Sequence, residues 1–178
     1  GGQSQDGLSV RRPAKADVIQ IGDNAVAATV TAATLGSDGT VAISETTFSN
    51  AFPRLDNVTD FSLLAVPGEG TTAMADLGMG YCANRPLQDA FYIAEVGSTD
   101  DTPDEAAAFR NKLTTGNSYG AVYFPWVKAL DPTGVSNQPI LLPPSGYMAG
   151  LYARIDASRG VWKAPAGTEA SLNGVVGL

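Results

Sequence analysis

Three groups of residues have types and spacing that invite a chemical reading. Pro67-Gly68-Glu69-Gly70-Thr71 stands between an apolar run and a helical pattern, where glycine-rich loops cradle phosphate on a helix N-terminus. The fingerprint is incomplete. Neither a third glycine at dinucleotide-binding spacing nor a Gly-Lys-Ser/Thr ending is present, and Glu69 repels phosphate, so a tight strand-to-helix turn is the competing reading. Asp100-Asp101 with Asp104-Glu105 offers carboxylates to a hard cation such as calcium, but lacks the spaced oxygen donors and the glycine of a calcium loop. Carboxylates at a helix N-terminus also complement the macrodipole there. Asp60, Glu95 and Asp131 fall at the ends of predicted strands, the usual location of sites in α/β sheets. Paired carboxylates there would serve acid-base work of the kind used in glycoside hydrolysis, and turn or capping roles are the alternative.

Composition removes most other chemistry. The 178 residues contain no histidine, so no Ser-His-Asp or Cys-His nucleophile, imidazole metal site or imidazole pH switch can form within this chain. The single cysteine, Cys82, has no intrachain disulfide partner, and its helical surroundings suit a small core hydrophobe better than a nucleophile. No catalytic residue, metal ligand or cofactor is assigned on these grounds. Eleven Lys and Arg against 18 Asp and Glu give a net charge of -7, which argues against nucleic acid as a partner because phosphate binding needs a basic face. No apolar run approaches the roughly 18 residues of a membrane span, so membrane insertion is not expected.

The elements that must position any site follow from periodicity and punctuation. Residues 1–15 have no period and read as a flexible leading segment or the stump of a missing region. Residues 16–50 read as a β-rich N-terminal segment, with short strands over 17–21 and 25–35 and a turn at Ser37-Asp38-Gly39-Thr40. From 51 to 178 an α/β core is expected, a mostly parallel sheet flanked by helices. Its strands are 61–66, closed by Pro67-Gly68, then 90–96, then 120–127, whose Pro125 makes it stop or lie at an edge. A helix capped by Thr71 or Thr72 carries Met74, Leu77, Tyr81 and Cys82 on one face and stops at Pro86. Thr102-Pro103-Asp104-Glu105 is a capping box opening a second helix. Residues 131–142 read as a loop. After Pro143-Pro144-Ser145 a third helix aligns Met148, Leu151, Tyr152 and Ile155, with Gly160 as its stop.

The stretch from 143 to 166 is the most unusual. Prolines 143, 144 and 165 and glycines 146, 150 and 160 surround Arg154, Asp156, Arg159 and Lys163, close to Trp162. Glycines on a helix permit close backbone approach, and Arg and Trp concentrate at packed interfaces, which suggests an interaction surface. Pro143-Pro144-Ser145-Gly146-Tyr147-Met148-Ala149-Gly150-Leu151-Tyr152-Ala153-Arg154, with Asp156 and Arg159-Gly160-Val161-Trp162-Lys163-Ala164-Pro165-Ala166, resembles the hallmark block of contractile-tail sheath proteins, found in bacteriophages and related phage-tail-like injection systems. Tyr119, Ala121 and Tyr123-Phe124-Pro125-Trp126 look like that family's strand ending in Tyr-Tyr-Pro-Trp. Leu35-Gly36-Ser37-Asp38-Gly39 is similar to its Gly-Gly-Asp-Gly turn, and Leu63-Leu64-Ala65-Val66-Pro67-Gly68 to its first core strand.

The resemblance implies a non-enzymatic subunit that polymerises helically with copies of itself around an inner tail tube protein and contracts to drive the tube through a cell envelope. Partners would include the baseplate and tail terminator, and the location would be a virion tail or phage-tail-like particle assembled in the host cytoplasm. It also implies a central core piece, with the family's C-terminal domain beyond Leu178 and most of what precedes Ala16 not included. Arg154, Asp156, Arg159, Trp162 and Lys163 are the candidates for inter-subunit or inner-tube contacts, with intrachain salt bridges as the alternative for the charges.

Overall fold

A computed structural model describes residues 43–131, 133–134 and 137–178. The strands expected over 17–21 and 25–35, the turn at 37–40 with its Gly-Gly-Asp-Gly likeness, and the leading segment 1–15 lie outside the described residues.

The centre of the molecule is the strand β2, Phe91–Glu95, an apolar run buried on both faces. It pairs in parallel with β1, Leu63–Leu64, on one side and with β3, Gly120–Tyr123, on the other, giving the order β1-β2-β3. Alternate side chains serve opposite layers, as the two-residue period of a strand requires. Tyr92 and Ala94 pack with Ala75, Met79, Cys82 and Phe109, and Ile93 packs with Met148, Leu151 and Ile155. The first group comes from α2, Thr72–Asn84, and α3, Pro103–Lys112, while the second comes from α4, Pro144–Arg159. Two helices on one face and one on the other make three layers around a mostly parallel sheet, the α/β arrangement expected.

Each helix has the signals that the sequence displays. The Thr71 hydroxyl caps α2 by accepting from Met74 N at 3.1 Å, and Arg85 ends it before Pro86. Met74 and Cys82 are buried as expected, with Leu77 and Tyr81 half-buried. Thr102 and Glu105 complete the capping box of α3, with Pro103 in its first turn. In α4 the buried stripe is Met148, Leu151 and Ile155, and Gly160 ends the helix at a φ of 93°, a left-handed conformation that favours glycine.

Several boundaries differ from the sequence reading. Residues 45–50, the end of the stretch expected to be β-rich, form with Ala51 the helix α1, Glu45–Ala51, followed by a short 3-10 turn, Phe52–Leu55. Ser44 caps α1 reciprocally with Thr47, and Phe48 and Phe52 stand one turn apart at ring contact, a helical spacing that short strand signals obscured. The strand ending at Pro125 divides in two. β3 stops at Tyr123, and β4, Val127–Leu130, belongs to a second sheet. There β4 is central and antiparallel to both β5, Pro139–Leu142, and β6, Val175–Gly177. β5 lies in the segment read as a loop because Pro139 looked like punctuation; an edge strand tolerates proline at its first residue, where no ladder donor is needed. β6 is three residues long with a bulge against Lys128 and Ala129, too short and irregular to show alternation.

Two polar ties hold the connections in place. Arg85, 1% exposed, donates to Asp89 Oδ1 at 2.6 Å, Leu55 O at 2.6 Å, Tyr81 Oη at 3.1 Å and Val58 O, and lies over the Phe61 ring. It thereby fastens the chain between α1 and β1 onto the end of α2. Asp76 on α2 accepts from Thr114 N, Thr115 N and the Thr114 hydroxyl, fixing the loop that leads into β3. Partial burial alone would raise the Asp76 carboxyl, but these hydrogen bonds outweigh it and hold it below the usual carboxylate range. A carboxyl depressed on folding contributes stability above its unfolded value of about 4 and loses it as pH falls through the folded value. Asp76→Asn is therefore expected to lower the thermal midpoint at about pH 7 and to cost much less at about pH 2. Equal losses at both pH values would contradict this assignment.

Candidate interaction surface

Beneath the surface formed by α4 lies one of the three strand-end carboxylates, Glu95. It closes β2, is 2% exposed, and both oxygens are occupied by backbone donors: Gly68 N gives to Oε1 and Ser145 N gives to Oε2 at 3.3 Å. Gly68 sits at a φ of 93°, a left-handed turn position that presents its N–H to the carboxylate. Ser145 is in the first turn of α4, whose N-cap position is Pro143, a residue with no capping side chain. Glu95 supplies the missing cap from another strand, and its negative charge meets the positive end of the helix dipole. Asp60 and Asp131 do not join it. Asp60 precedes β1 at the opposite edge of the parallel sheet, and Asp131 follows β4 in the second sheet, accepting from Thr133 N and Oγ1.

The other candidate groups resolve into structural roles. In the loop 67–71, a Cβ on Gly70 would run into the Val96 backbone, and Thr71 caps α2, so glycine and threonine answer to packing and capping. Glu105, in the acidic run, accepts from Asp101 N, Thr102 N and the Thr102 hydroxyl. Those bonds keep its carboxyl below the usual range. Cys82 is fully buried. Burial pushes its thiol up to about 11 despite nearby Arg85, which leaves it protonated and unreactive at neutral pH.

The residues singled out between 154 and 163 are brought together at the end of α4, where Arg154 and Arg159 hold the following segment against the helix and Lys163 closes a local turn within it. Arg154 Nη2 donates to Ser171 O, Arg159 Nη1 pairs with Glu169 Oε1 at 3.4 Å, and Lys163 Nζ reaches Ala164 O at 2.8 Å and Ala166 O at 3.0 Å. Ala170 and Leu172 pack with the α4 cluster beneath. Asp156 is half-buried, its backbone oxygen accepting from Gly160 N at 2.9 Å. Trp162 differs from the rest, with 77% exposure, beside Val161 at 84%. Among the described residues no close approach is made at Gly146 and Gly150: a Cβ at either would meet open space, in a cleft shared with Tyr147, Arg154, Ser171 and Leu172.

The family model of the phage tail sheath protein central domain matches residues 50–178, which takes in every element from the 3-10 turn to β6. The chain belongs to the phage tail sheath family. No curated protein matches it. The role of a sheath domain is structural, and the residues found here suit it: Glu95 and Glu105 committed to backbone donors, an inert thiol, and an exposed aromatic tip. Among the described residues no group of three or more Cys, Asp or Glu is placed to hold a metal, and no helix is long and apolar enough to cross a membrane.

Sequence reasoning placed Glu95 at a strand end but missed its partners and missed Arg85. The signals were present. A helix opening on Pro143-Pro144 lacks its own cap, and Arg85 stands four residues before Asp89, just past a helix end. In this sheath domain Glu95→Gln keeps one acceptor but turns an amide N–H₂ toward a backbone donor. It is expected to lower unfolding stability by about 2 kcal/mol in urea titrations. An unchanged midpoint would show that the carboxylate does not secure α4.

Proposed function

We propose that copies of this chain polymerise helically around an inner tail tube protein and contract to drive the tube through a target cell envelope. Membership of the sheath family supports this reading most strongly, since its central domain spans residues 50–178. The architecture fits the task. A subunit that shifts against its neighbours needs a core that does not deform and rims that settle in more than one arrangement. Here the core is the three-layer sheet, and the rim carries half-exposed ion pairs such as Arg159–Glu169. Such pairs are worth little individually and exchange partners cheaply.

On this reading the further partners are the baseplate and the tail terminator, and neither nucleic acid nor membrane insertion is involved. The working location is a virion tail or phage-tail-like particle, assembled in the host bacterial cytoplasm. Arg154, Asp156, Arg159, Trp162 and Lys163 form the contact surface toward neighbouring subunits or the tube. Negative-stain electron microscopy of the protein with and without its tube partner is expected to show hollow striated cylinders. Arg159→Glu is expected to impair them while leaving cooperative unfolding intact. Uniform small particles from the unaltered protein would overturn the sheath reading, and normal cylinders from the variant would overturn the contact role of Arg159.

A further inference from the structure

The end of α4 has the makings of a contact that no described residue of this chain makes. Val161 and Trp162 are 84% and 77% exposed, held out by the turn at Gly160, whose φ is 93°. Apolar surface fixed in water costs free energy until something covers it, and a rigid Trp ringed by charge is the usual anchor of a protein interface. Two cations flank the tip in a chain of net charge -7: Arg159, which shares a half-exposed pair with Glu169, and Lys163, which rests only on the Ala164 and Ala166 carbonyls. Two such chains repel on average. A contact between copies therefore has to set the cations of one against the anions of the other.

The anions lie at the opposite corner of the domain. Ser145, at the start of α4, meets Glu95 at the end of β2, and Tyr152 stacks near Phe91 at the start of β2, with ring centroids 5.8 Å apart. So α4 runs antiparallel to β2 and delivers its C-terminal tip to the amino edge of the sheet. The turn 97–102 leaves the carboxyl edge after β2 and opens α3, which packs on the other face with α2. Asp100, Asp101, Asp104 and Glu105 crowd this turn. Glu105 is engaged in the helix cap, taking the Asp101 N–H among its donors, and Asp100 accepts from Gly97 N at 3.2 Å, while the side chains of Asp101 and Asp104 stand exposed. Cationic tip and acidic turn thus occupy opposite faces and opposite edges, with the 16-residue α4, about 24 Å long, running toward the tip.

We propose that the Val161-Trp162 tip of one copy, rimmed by Arg159 and Lys163, docks head to tail on the acidic turn of a second copy, chiefly at Asp101 and Asp104. Because the two patches differ, the contact is heterologous, and repeated without closure it generates an open helical row. Arg159 has to share or leave Glu169 to take part. With both groups half-exposed, that exchange is cheap. The inference deepens the sheath reading and rests on it for the premise that copies assemble.

Ser98→Cys, exposed in the acidic turn but outside its carboxylates, and Val161→Cys test it in the otherwise complete protein, treated with a short thiol-reactive cross-linker. Native Cys82 is fully buried and stays silent. The doubly substituted chain is expected to give a ladder of dimers, trimers and longer products, while a mixture of the two singly substituted chains stops at dimers. Lys163→Glu or Asp104→Lys added to the double-cysteine chain should each cut the ladder about tenfold, and the two together should restore it. Cylinders without a ladder, cross-linking of the Val161→Cys chain to itself, or failure of the charge swap to restore the ladder would overturn this contact while leaving the sheath reading in place. A ladder without cylinders would keep the contact and remove the sheath, and the absence of both would overturn both.

Discussion

A carboxylate that is 2% exposed has lost its water and must find donors in the protein, and for Glu95 those donors come from two distant stretches of chain. One is the left-handed turn at Gly68, four residues past the end of the first parallel strand; the other is the start of α4, fifty residues on from the glutamate. Neither is a strong element alone. The loop 67–71 has glycines that resist ordering, and α4 begins on two prolines with no cap of its own. Satisfying a single buried charge orders both, and so decides where α4 lies on the sheet. Everything on the outer side of α4 inherits that placement, including the strap of residues 160–174 and the exposed tip at Trp162.

Other polar ties repeat the pattern. Arg85 gathers Leu55 and Val58 onto the end of α2, and Asp76 gathers Thr114 and Thr115. In each case a charged side chain on or beside a regular element fixes a connection whose own residues specify little. The core between these ties is apolar and tightly fitted: a Cβ on Gly78 would strike the Tyr92 ring, so α2 and β2 pack at the closest approach glycine permits. Such a body changes its surroundings more readily than itself. That suits a structural subunit, and it leaves exchangeable charges at the rims.

The legible parts of this fold were those written locally. The caps at Thr71 and Thr102, the buried run of β2, the stop at Pro86, the stripe of α4 and the turn at Gly160 all follow from residues within a few positions of one another. The second sheet escaped notice because its strands are three or four residues long, one starting on proline and one carrying a bulge. α1 was hidden by Thr and Ser flanks that suit strands as well as caps. At the site, Glu95 was visible as a strand-end acid, but its role depends on contacts across 27 and 50 positions that no local pattern encodes. The charges between 154 and 163 were visible as a cluster; that Arg154 and Arg159 hold the following strap emerged only from the fold.

In the proposed assembly the domain built on β2 and α4 is a rigid body whose changes are confined to its corners. Hydrogen–deuterium exchange on dispersed and assembled protein tests this most directly. The amides of β2 and of α4 from Met148 to Ile155 should be equally protected in both states, with new protection at residues 97–105 and 159–165. New protection spread through β2 and α4, or none at either corner, would contradict the account.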